Sequence, residues 1–309
     1  MGKSGLKVSR IGLGSWQFGP EPWGLTNKDA IKKIIITALD HGINFIDTAE
    51  DYGDGSSERI IGEVIKERGN RDDVIIATKV SSWHLGYKDV LKACKKSLER
   101  LQTNYIDLYQ IHWPNMYTPL KETMSALEKL VDDGKIRYIG VSNFPPCLLR
   151  EAVECLKKYE VISNQVVYSI IERPIEAEIL PTMRELGIVT IAYSPLAMGL
   201  LTGKYDENID FSKDPVRKWH PLFTIRENYL QALRVVNFIR GIAKKYQKTP
   251  AQIALNWLLK FDDVIPIFGA KKPKHVVENV GSVGWHLKED DWNKIKQISD
   301  QLEFTFFEE

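Results

Sequence analysis

Four side chains of types that suit proton transfer lie within the first 112 residues. Asp47 ends the apolar stretch "INFID", and Tyr52 stands in the Gly- and Ser-rich loop that follows it. Lys79 and His112 end the next two apolar stretches, "VIIATK" and "YIDLYQIH". A carboxylate at the end of a buried strand costs desolvation free energy unless a cation or a hydrogen-bond donor meets it. Asp47 therefore needs a partner from elsewhere in the fold.

The elements that must position these side chains follow an alternating pattern. Short runs rich in β-branched residues alternate with stretches of helical period, which indicates repeated βα units and a parallel sheet. Strand ends about 32 residues apart in the first half, without a Pro-, Gly- or Ser-rich linker, are typical of a (β/α)8 barrel. We therefore predict an α/β protein, a TIM barrel that occupies residues 1–309 as one domain. The eight predicted strands are residues 11–15, 43–47, 74–79, 105–112, 136–142, 162–166, 189–194 and 264–269.

Helical patterns fill most of the segments between these strands. Amphipathic examples are "KDAIKKIIITALDHG", "DVLKACKKSLERLQ", "LKETMSALEKLVDDG" and "CLLREAVECLKKYE". The period is lost between Ser194 and Val264, which predicts long loops at the C-terminal face of the barrel, where long loops are usually functional. Extra C-terminal helices are predicted near residues 276–280 and 289–302.

A barrel brings the carboxyl ends of its strands to one mouth. Asp47, Lys79 and His112 would then face a common space, with Tyr52 on the loop above it. Lys79 becomes the predicted partner of Asp47. A phenol ordinarily ionises near pH ~10, and an adjacent ammonium lowers that pKa, so Tyr52 is predicted to act as a general acid. Each residue alone also has an ordinary structural explanation, as a cap, a snorkelling lysine or a core histidine.

Composition disfavours several classes of partner. Basic and acidic side chains number 42 and 41 and are mixed along the chain, so neither nucleic acid nor an anionic membrane is an expected partner. The cysteines and the six histidines lack metal-ligand spacing, and no metal is expected. Without a signal-peptide core or a long apolar span, we expect a soluble cytoplasmic protein; the sequence leaves its oligomeric state open.

Other site types fit the sequence less well. In "GLGSWQFG", Gln17 occupies the third glycine position of a dinucleotide-fold motif. In "GLLTGKY", Met198 and Tyr205 replace the first glycine and the hydroxyl residue of a P-loop. A Schiff-base lysine is disfavoured because a carboxylate partner keeps Lys79 charged.

The motifs "FIDTAEDYG", "ATKV", "YIDLYQIHWP", "IRYIGVSNF", "NQVVYS", "AYSPLAMGLLTGKY" and "FGAKKPKHVVEN" stand in an order that resembles the aldo-keto reductases. The resemblance covers residues 12–279 and implies a (β/α)8 barrel with the catalytic tetrad Asp47, Tyr52, Lys79 and His112. It implies hydride transfer from a reduced nicotinamide to an aldehyde or ketone. Tyr52 would protonate the developing alkoxide, and His112 would donate a hydrogen bond to the carbonyl oxygen.

The resemblance also implies a cofactor site. Ser142, Asn143 and Gln165 would contact the carboxamide, and Tyr193 would stack on the nicotinamide ring. Positive charge at Lys271 favours NADP(H), while His275, where related sequences usually carry Arg or Gln, keeps NAD(H) possible. The other implied cofactor positions are Ser15, Trp16, Ser194, Pro195, Leu196, Gly199, Leu200, Gly203, Lys204, Gly269, Ala270, Glu278 and Asn279.

Two questions stay open at this point. The segment "YSPLAMGLLTGKY" also resembles the potassium-channel beta subunits, which belong to the same family, bind the cofactor and serve a partner protein. A cofactor-binding regulatory protein with little turnover is therefore the alternative function. The substrate cannot be read beyond its class, a small carbonyl compound: Trp16, Trp23, Trp83 and Trp113 could wall an apolar or sugar-stacking pocket or serve as lids over the core.

Overall fold

Eight parallel strands close into a barrel in sequence order in the computed structural model, which describes residues 1–20 and 24–305. The predicted α/β barrel is confirmed, and each strand ends within two residues of its predicted bounds. The strands are β1 Gly12–Gly14, β2 Phe45–Asp47, β3 Ile75–Val80, β4 Ile106–Ile111, β5 Ile136–Ser142, β6 Val161–Val167, β7 Val189–Tyr193 and β8 Val264–Gly269.

The strands are apolar because both faces of the sheet are covered. Every residue of β3 and of β4 is buried, as expected for a parallel sheet inside a ring of helices. Phe45, Leu108 and Ile191 belong to the smaller apolar cluster, and the larger cluster joins residues of the helices to those of the strands. In the hydrogen-bonded pairing of β1 with β2, Gly14 lies beside Asp47. The polar residues at the strand ends are therefore held at fixed heights along the barrel axis.

Helices follow the strands and match the predicted amphipathic stretches. Their bounds are α1 Lys28–Asp40, α2 Ser56–Arg68, α3 Tyr87–Leu101, α4 Leu120–Asp132, α5 Pro146–Cys155, α6 Ile179–Leu186, α7 Pro221–Thr224, α8 Arg226–Tyr246, α9 Pro250–Leu258, α10 Pro273–Val280 and α11 Glu289–Ser299. Local caps explain several ends: Asn27 accepts from the amide of Ala30, and Thr249 with Gln252 forms a capping box. No helix in the described residues is long and apolar enough to cross a membrane.

One sequence prediction fails after β7. The helical period was expected to be absent up to Val264, yet α8 and α9 occupy most of residues 226–258. Their buried positions, such as Tyr229, Leu233 and Val236 in α8, recur at helical spacing once the charged residues between them are placed on the outer face. The irregular segment is therefore shorter than predicted and runs from Ser194 to His220, with short 3-10 turns.

Candidate active site

Asp47, Lys79 and Tyr52 form one hydrogen-bonded chain at the mouth of the barrel. Lys79 Nζ donates to Asp47 Oδ1 at 2.6 Å, to the carbonyl of Thr48 at 2.9 Å and to the hydroxyl oxygen of Tyr52 at 3.2 Å. Asp47 and Lys79 are almost fully buried, at 1% and 0% exposure. The predicted pairing of Asp47 with Lys79 is thus present, and it places the ammonium against the phenol.

The second carboxylate oxygen of Asp47 is also occupied. Gln165 Nε2 donates to Asp47 Oδ2 at 2.7 Å, and Gln110 Nε2 donates to it at 3.2 Å. Sequence reasoning missed Gln110, although it lies two residues before His112 on β4 and therefore points to the same face of the strand. These contacts fix the carboxylate and hence the lysine that it holds.

The protonation states of these hydrogen-bonded side chains differ in part from those predicted from the sequence. Burial lowers the pKa of Lys79, but the charge of Asp47 and the contact with Tyr52 outweigh it, so the pKa lies above its ordinary value. Burial raises the pKa of Tyr52 above its ordinary value, and Lys79 opposes this shift only in part. The prediction that Lys79 brings the pKa of Tyr52 below the ordinary value is therefore wrong. Tyr52 keeps its proton at neutral pH, which a proton donor requires.

His112 follows β4 and lies beside Tyr52. Its amide donates to the carbonyl of Val80 at 3.0 Å, and its ring meets the Tyr52 ring edge to face, with centroids 5.6 Å apart. Ring Nδ1 lies 3.0 Å from Asp51 Oδ2, a contact that sequence reasoning missed. Burial lowers the pKa of His112 and the Lys79 ammonium acts in the same direction, against Asp51. The four predicted catalytic residues are thus brought together.

The residues predicted to bind the carboxamide surround the same space. Ser142 donates through its hydroxyl to the carbonyl of Gln165 at 2.9 Å, and Asn143 Nδ2 donates to the carbonyl of His112 at 3.3 Å. The hydroxyl of Tyr193 donates to Asn143 Oδ1 at 3.1 Å, and burial raises the pKa of Tyr193 to about 12. These contacts link the ends of β4, β5, β6 and β7 into one polar rim.

The segment after β7 has an unusual backbone. Ser194, Ala197 and Met198 have φ values of 51°, 46° and 51°, in the left-handed region that L-residues rarely adopt. Gly199 and Gly203 follow at 90° and 74°. In turns of this kind, successive backbone N–H groups point toward one side, and such turns are common where anions bind. This segment, which carries several of the implied cofactor positions, therefore has a conformation that suits an anion.

Cations gather beside this loop. A Cβ atom added at Gly199 would lie 3.5 Å from Arg217 Nη2 and 3.6 Å from Lys204 Nζ. Burial lowers the pKa of Lys271, and the charges of Arg217 and Lys204 lower it further, with Asp214 opposing. Two cations held this close, with Lys271 near enough for their charges to lower its pKa, are typical of a site for phosphate groups. Arg217 was missed because the polar stretch around it carries no readable period.

The ends of β1 and β8 complete this side of the mouth. Gln17 Nε2 donates to the carbonyls of Gly14 and Ala270, at 3.0 and 3.2 Å, and so joins the two strand ends. The Lys271 amide donates to His275 Nδ1 at 3.4 Å, so His275 at the start of α10 lies next to the cations. Ser15 is buried and its hydroxyl donates to the carbonyl of Asp47 at 2.7 Å, which gives its side chain a structural contact.

Large apolar side chains stand at the rim with much of their surface exposed. Trp16, Trp83 and Trp113 are 39%, 83% and 50% exposed, and Tyr117 and Trp219 are 91% and 76% exposed. Trp23, the fourth tryptophan predicted here, lies outside the described residues. Trp83, Tyr117 and Trp219 are therefore mostly open to solvent and cover little of the core, whereas about half or more of Trp16 and Trp113 is buried.

Glu172, between β6 and α6, has a carboxyl with a perturbed pKa near the mouth. Burial raises the pKa of Glu172 to about 7. His220 Nε2 lies 3.6 Å away, but burial lowers the pKa of His220, so its ring supplies no positive charge at neutral pH. Because the pKa of Glu172 is higher in the folded state than in the unfolded chain, its carboxyl contributes full stability at pH values below its unfolded pKa. That stability is lost as the pH rises through about 7.

We therefore expect Glu172→Gln to increase the free energy of unfolding more at pH 8 than at pH 5, by about 2 kcal/mol. Urea unfolding of both proteins at both pH values measures this difference. Glu178→Gln, at an exposed position on the same segment, is the matched control and should change stability equally at the two pH values. Equal gains for Glu172→Gln would show that its carboxyl ionises normally.

Known proteins resemble this chain in sequence and in fold. Residues 10–300 match the model of the Aldo/keto reductase family. Aldo-keto reductase YhdN of Bacillus subtilis is 38% identical over 96% of this chain and 91% of that protein. The NADH-specific methylglyoxal reductase of Escherichia coli is 34% identical over 98% of each chain. An aldo/keto reductase from Klebsiella pneumoniae, solved with NADP and acetate, has a TM-score of 0.75, 31% identity and 96% coverage of each chain. The chain belongs to the aldo/keto reductase family.

Proposed function

We propose that this chain, acting as one domain over residues 1–309, is an NADPH-dependent oxidoreductase that reduces an aldehyde or ketone to an alcohol. The observation that carries the proposal is the series of hydrogen bonds from Asp47 through Lys79 to the Tyr52 hydroxyl, at 2.6 and 3.2 Å. Cations suited to phosphates follow the ends of β7 and β8 at the same face of the barrel. A phenol on an ammonium that is itself paired is a positioned proton donor. Such a donor next to a dinucleotide site is what carbonyl reduction requires.

Each residue then has a defined task. A reduced nicotinamide bound at this site would supply the hydride for the carbonyl carbon. Tyr52 holds its proton at neutral pH, because burial raises the pKa of its phenol, and gives it to the oxygen as negative charge develops there. Lys79 stabilises the phenolate that remains, and Asp47 keeps Lys79 charged and in place. This preorganised electrostatic support costs no rearrangement at the moment of reaction.

The cofactor would be held by residues of matching chemistry. The donors of Gln165 already contact Asp47 and Gln110, at 2.7 and 3.4 Å, so its amide oxygen is the atom that accepts from a carboxamide. Tyr193 offers a ring face, and Lys204 with Lys271 offers charge to phosphate oxygens. The Klebsiella relative contains NADP, whereas the Escherichia relative is named NADH-specific. We propose NADP(H) as the preferred cofactor and NAD(H) as a weaker one.

A turnover assay tests the proposed function. Aromatic, aliphatic and sugar carbonyls are mixed with the protein and with NADPH or NADH, and the loss of the reduced-nicotinamide absorbance is followed. We expect turnover with at least one carbonyl class and a higher kcat/KM for NADPH. Tight NADPH binding without turnover of any class would contradict the proposal and favour a cofactor-binding regulatory protein.

The cofactor preference depends on Lys271. We expect Lys271→Ala to weaken NADPH roughly ten- to hundredfold, because a charge-assisted contact to the 2'-phosphate is lost, and to leave NADH binding nearly unchanged. Titration of the protein with each cofactor by fluorescence or calorimetry measures both dissociation constants. Lys274→Ala removes an equal charge from an exposed position on α10 and serves as the control. Equal weakening of NADPH and NADH would show that Lys271 does not recognise the 2'-phosphate.

A further inference from the structure

The His112 ring is fixed on more than one side. Its backbone is held by Val80 and Asn143, and its face is set by the edge-to-face contact with Tyr52. Asp51 fixes the remaining freedom, because its Oδ2 lies 3.0 Å from ring Nδ1. No motif quoted from the sequence gave Asp51 a task, although it immediately precedes Tyr52.

Asp51 is itself held in place. The Glu50 amide donates to the carbonyl of Lys79 at 3.3 Å, and Glu50 Oε1 accepts from the amide of Ser81 at 2.7 Å, so the chain is anchored before Asp51. After it, the Tyr52 amide donates to the carbonyl of Ala49 at 3.2 Å. Burial raises the pKa of Asp51, but hydrogen bonds from His112 and Ser81 outweigh it and leave the pKa below its ordinary value. Asp51 is therefore an ionised carboxylate on a fixed loop.

An ionised carboxylate accepts hydrogen bonds and cannot donate one, so the proton of this contact belongs to the ring. Resting on the proposed carbonyl reduction, we propose that Asp51 is a positioning residue that holds His112 in its Nδ1–H tautomer. In the neutral ring, Nε2 then carries a lone pair and accepts hydrogen bonds. Only the imidazolium can donate from Nε2 to a substrate oxygen.

The tautomer makes the contribution of His112 depend on pH. The expected donation to a carbonyl oxygen is present below the pKa of the ring and is lost above it. In the reverse reaction the alcohol would return its hydroxyl proton to the Tyr52 phenolate, so His112 takes up no proton from the substrate in either direction. Among the described residues, the charged and titratable groups facing the ring are Asp47, Asp51, Tyr52 and Lys79, with Glu50 and His84 next to Asp51.

Nitrogen NMR of protein labelled with ¹⁵N-histidine tests the tautomer without any turnover. The His112 signals are assigned by their absence in His112→Gln, and spectra are recorded at pH 8, where the ring is neutral. We expect the Nδ1–H form in the wild type and a gain of the Nε2–H form in Asp51→Ala. A wild-type ring in the Nε2–H form, or an unchanged tautomer in Asp51→Ala, would overturn the proposal.

The pH profile of catalysis gives a second test. Between about pH 5 and pH 8, kcat/KM for reduction should fall by at least about tenfold as pH rises in the wild type. In Asp51→Asn the amide can donate to Nδ1, which leaves Nε2–H on the neutral ring, so the fall should shrink below about threefold. Asp54→Asn, at an exposed position on the same loop, is the control and should keep the wild-type profile. Equal slopes in wild type and Asp51→Asn contradict the positioning role, whereas a lack of turnover in all proteins contradicts only the proposed reaction.

Discussion

Tyr52→Phe is expected to lower kcat for carbonyl reduction by roughly a hundredfold to ten-thousandfold and to leave NADPH binding nearly intact. The loss is expected to be large because the hydroxyl, 3.2 Å from Lys79 Nζ, is the proposed proton donor to the developing alkoxide. Binding is spared because the proton is given only as negative charge develops on the oxygen, and so it contributes to the transition state alone.

Steady-state kinetics with a saturating carbonyl substrate, together with a cofactor titration, measure both quantities. Tyr159→Phe is the matched control, since the Tyr159 hydroxyl donates to Asp132 at 2.8 Å on an exposed part of the surface. That variant should keep wild-type kcat. A Tyr52→Phe protein within about tenfold of wild type would remove Tyr52 from the role of general acid.

Asp47 and Lys79 are expected to act as one unit. Lys79→Met should lower kcat by about a hundredfold or more, because the phenolate loses its stabilising ammonium. Asp47→Asn should cost less at neutral pH, since the carbonyl of Thr48 still accepts from Lys79 at 2.9 Å. Burial by itself lowers the pKa of Lys79. As pH rises, the rate of carbonyl reduction by the Asp47→Asn protein should therefore begin to decline at a lower pH than that of the wild type.

A double-mutant cycle measures the coupling. The protein with both substitutions should be little worse than Lys79→Met alone, because Asp47 contributes only through the lysine that it holds. Thermal unfolding of the same proteins gives a second readout. Either single substitution leaves one uncompensated buried charge, whereas the double substitution removes both charges of the pair. Losses of kcat that simply add would show that Asp47 and Lys79 contribute separately.

Much of the barrel could be predicted from the sequence because its signal is local. A buried parallel strand is a short β-branched run, and all eight runs were recognisable within two residues of their ends. Once the strands were counted, topology alone placed Asp47, Lys79 and His112 at one mouth. The helix α8 was missed because charged residues between its apolar positions masked the period.

The residue types of the proposed catalytic site and their shared position were therefore determined by the sequence itself. The tertiary structure alone decided how they are coupled. Asp51 meets His112 across 61 residues, and Arg217 reaches the loop of Gly199 from a polar stretch without period. Such contacts depend on the paths of loops and on side-chain rotamers, which no local pattern encodes. The direction in which the pKa of Tyr52 shifts could not be predicted from the sequence either. It depends on whether burial or a neighbouring charge dominates, and only the folded chain determines how much water each group loses.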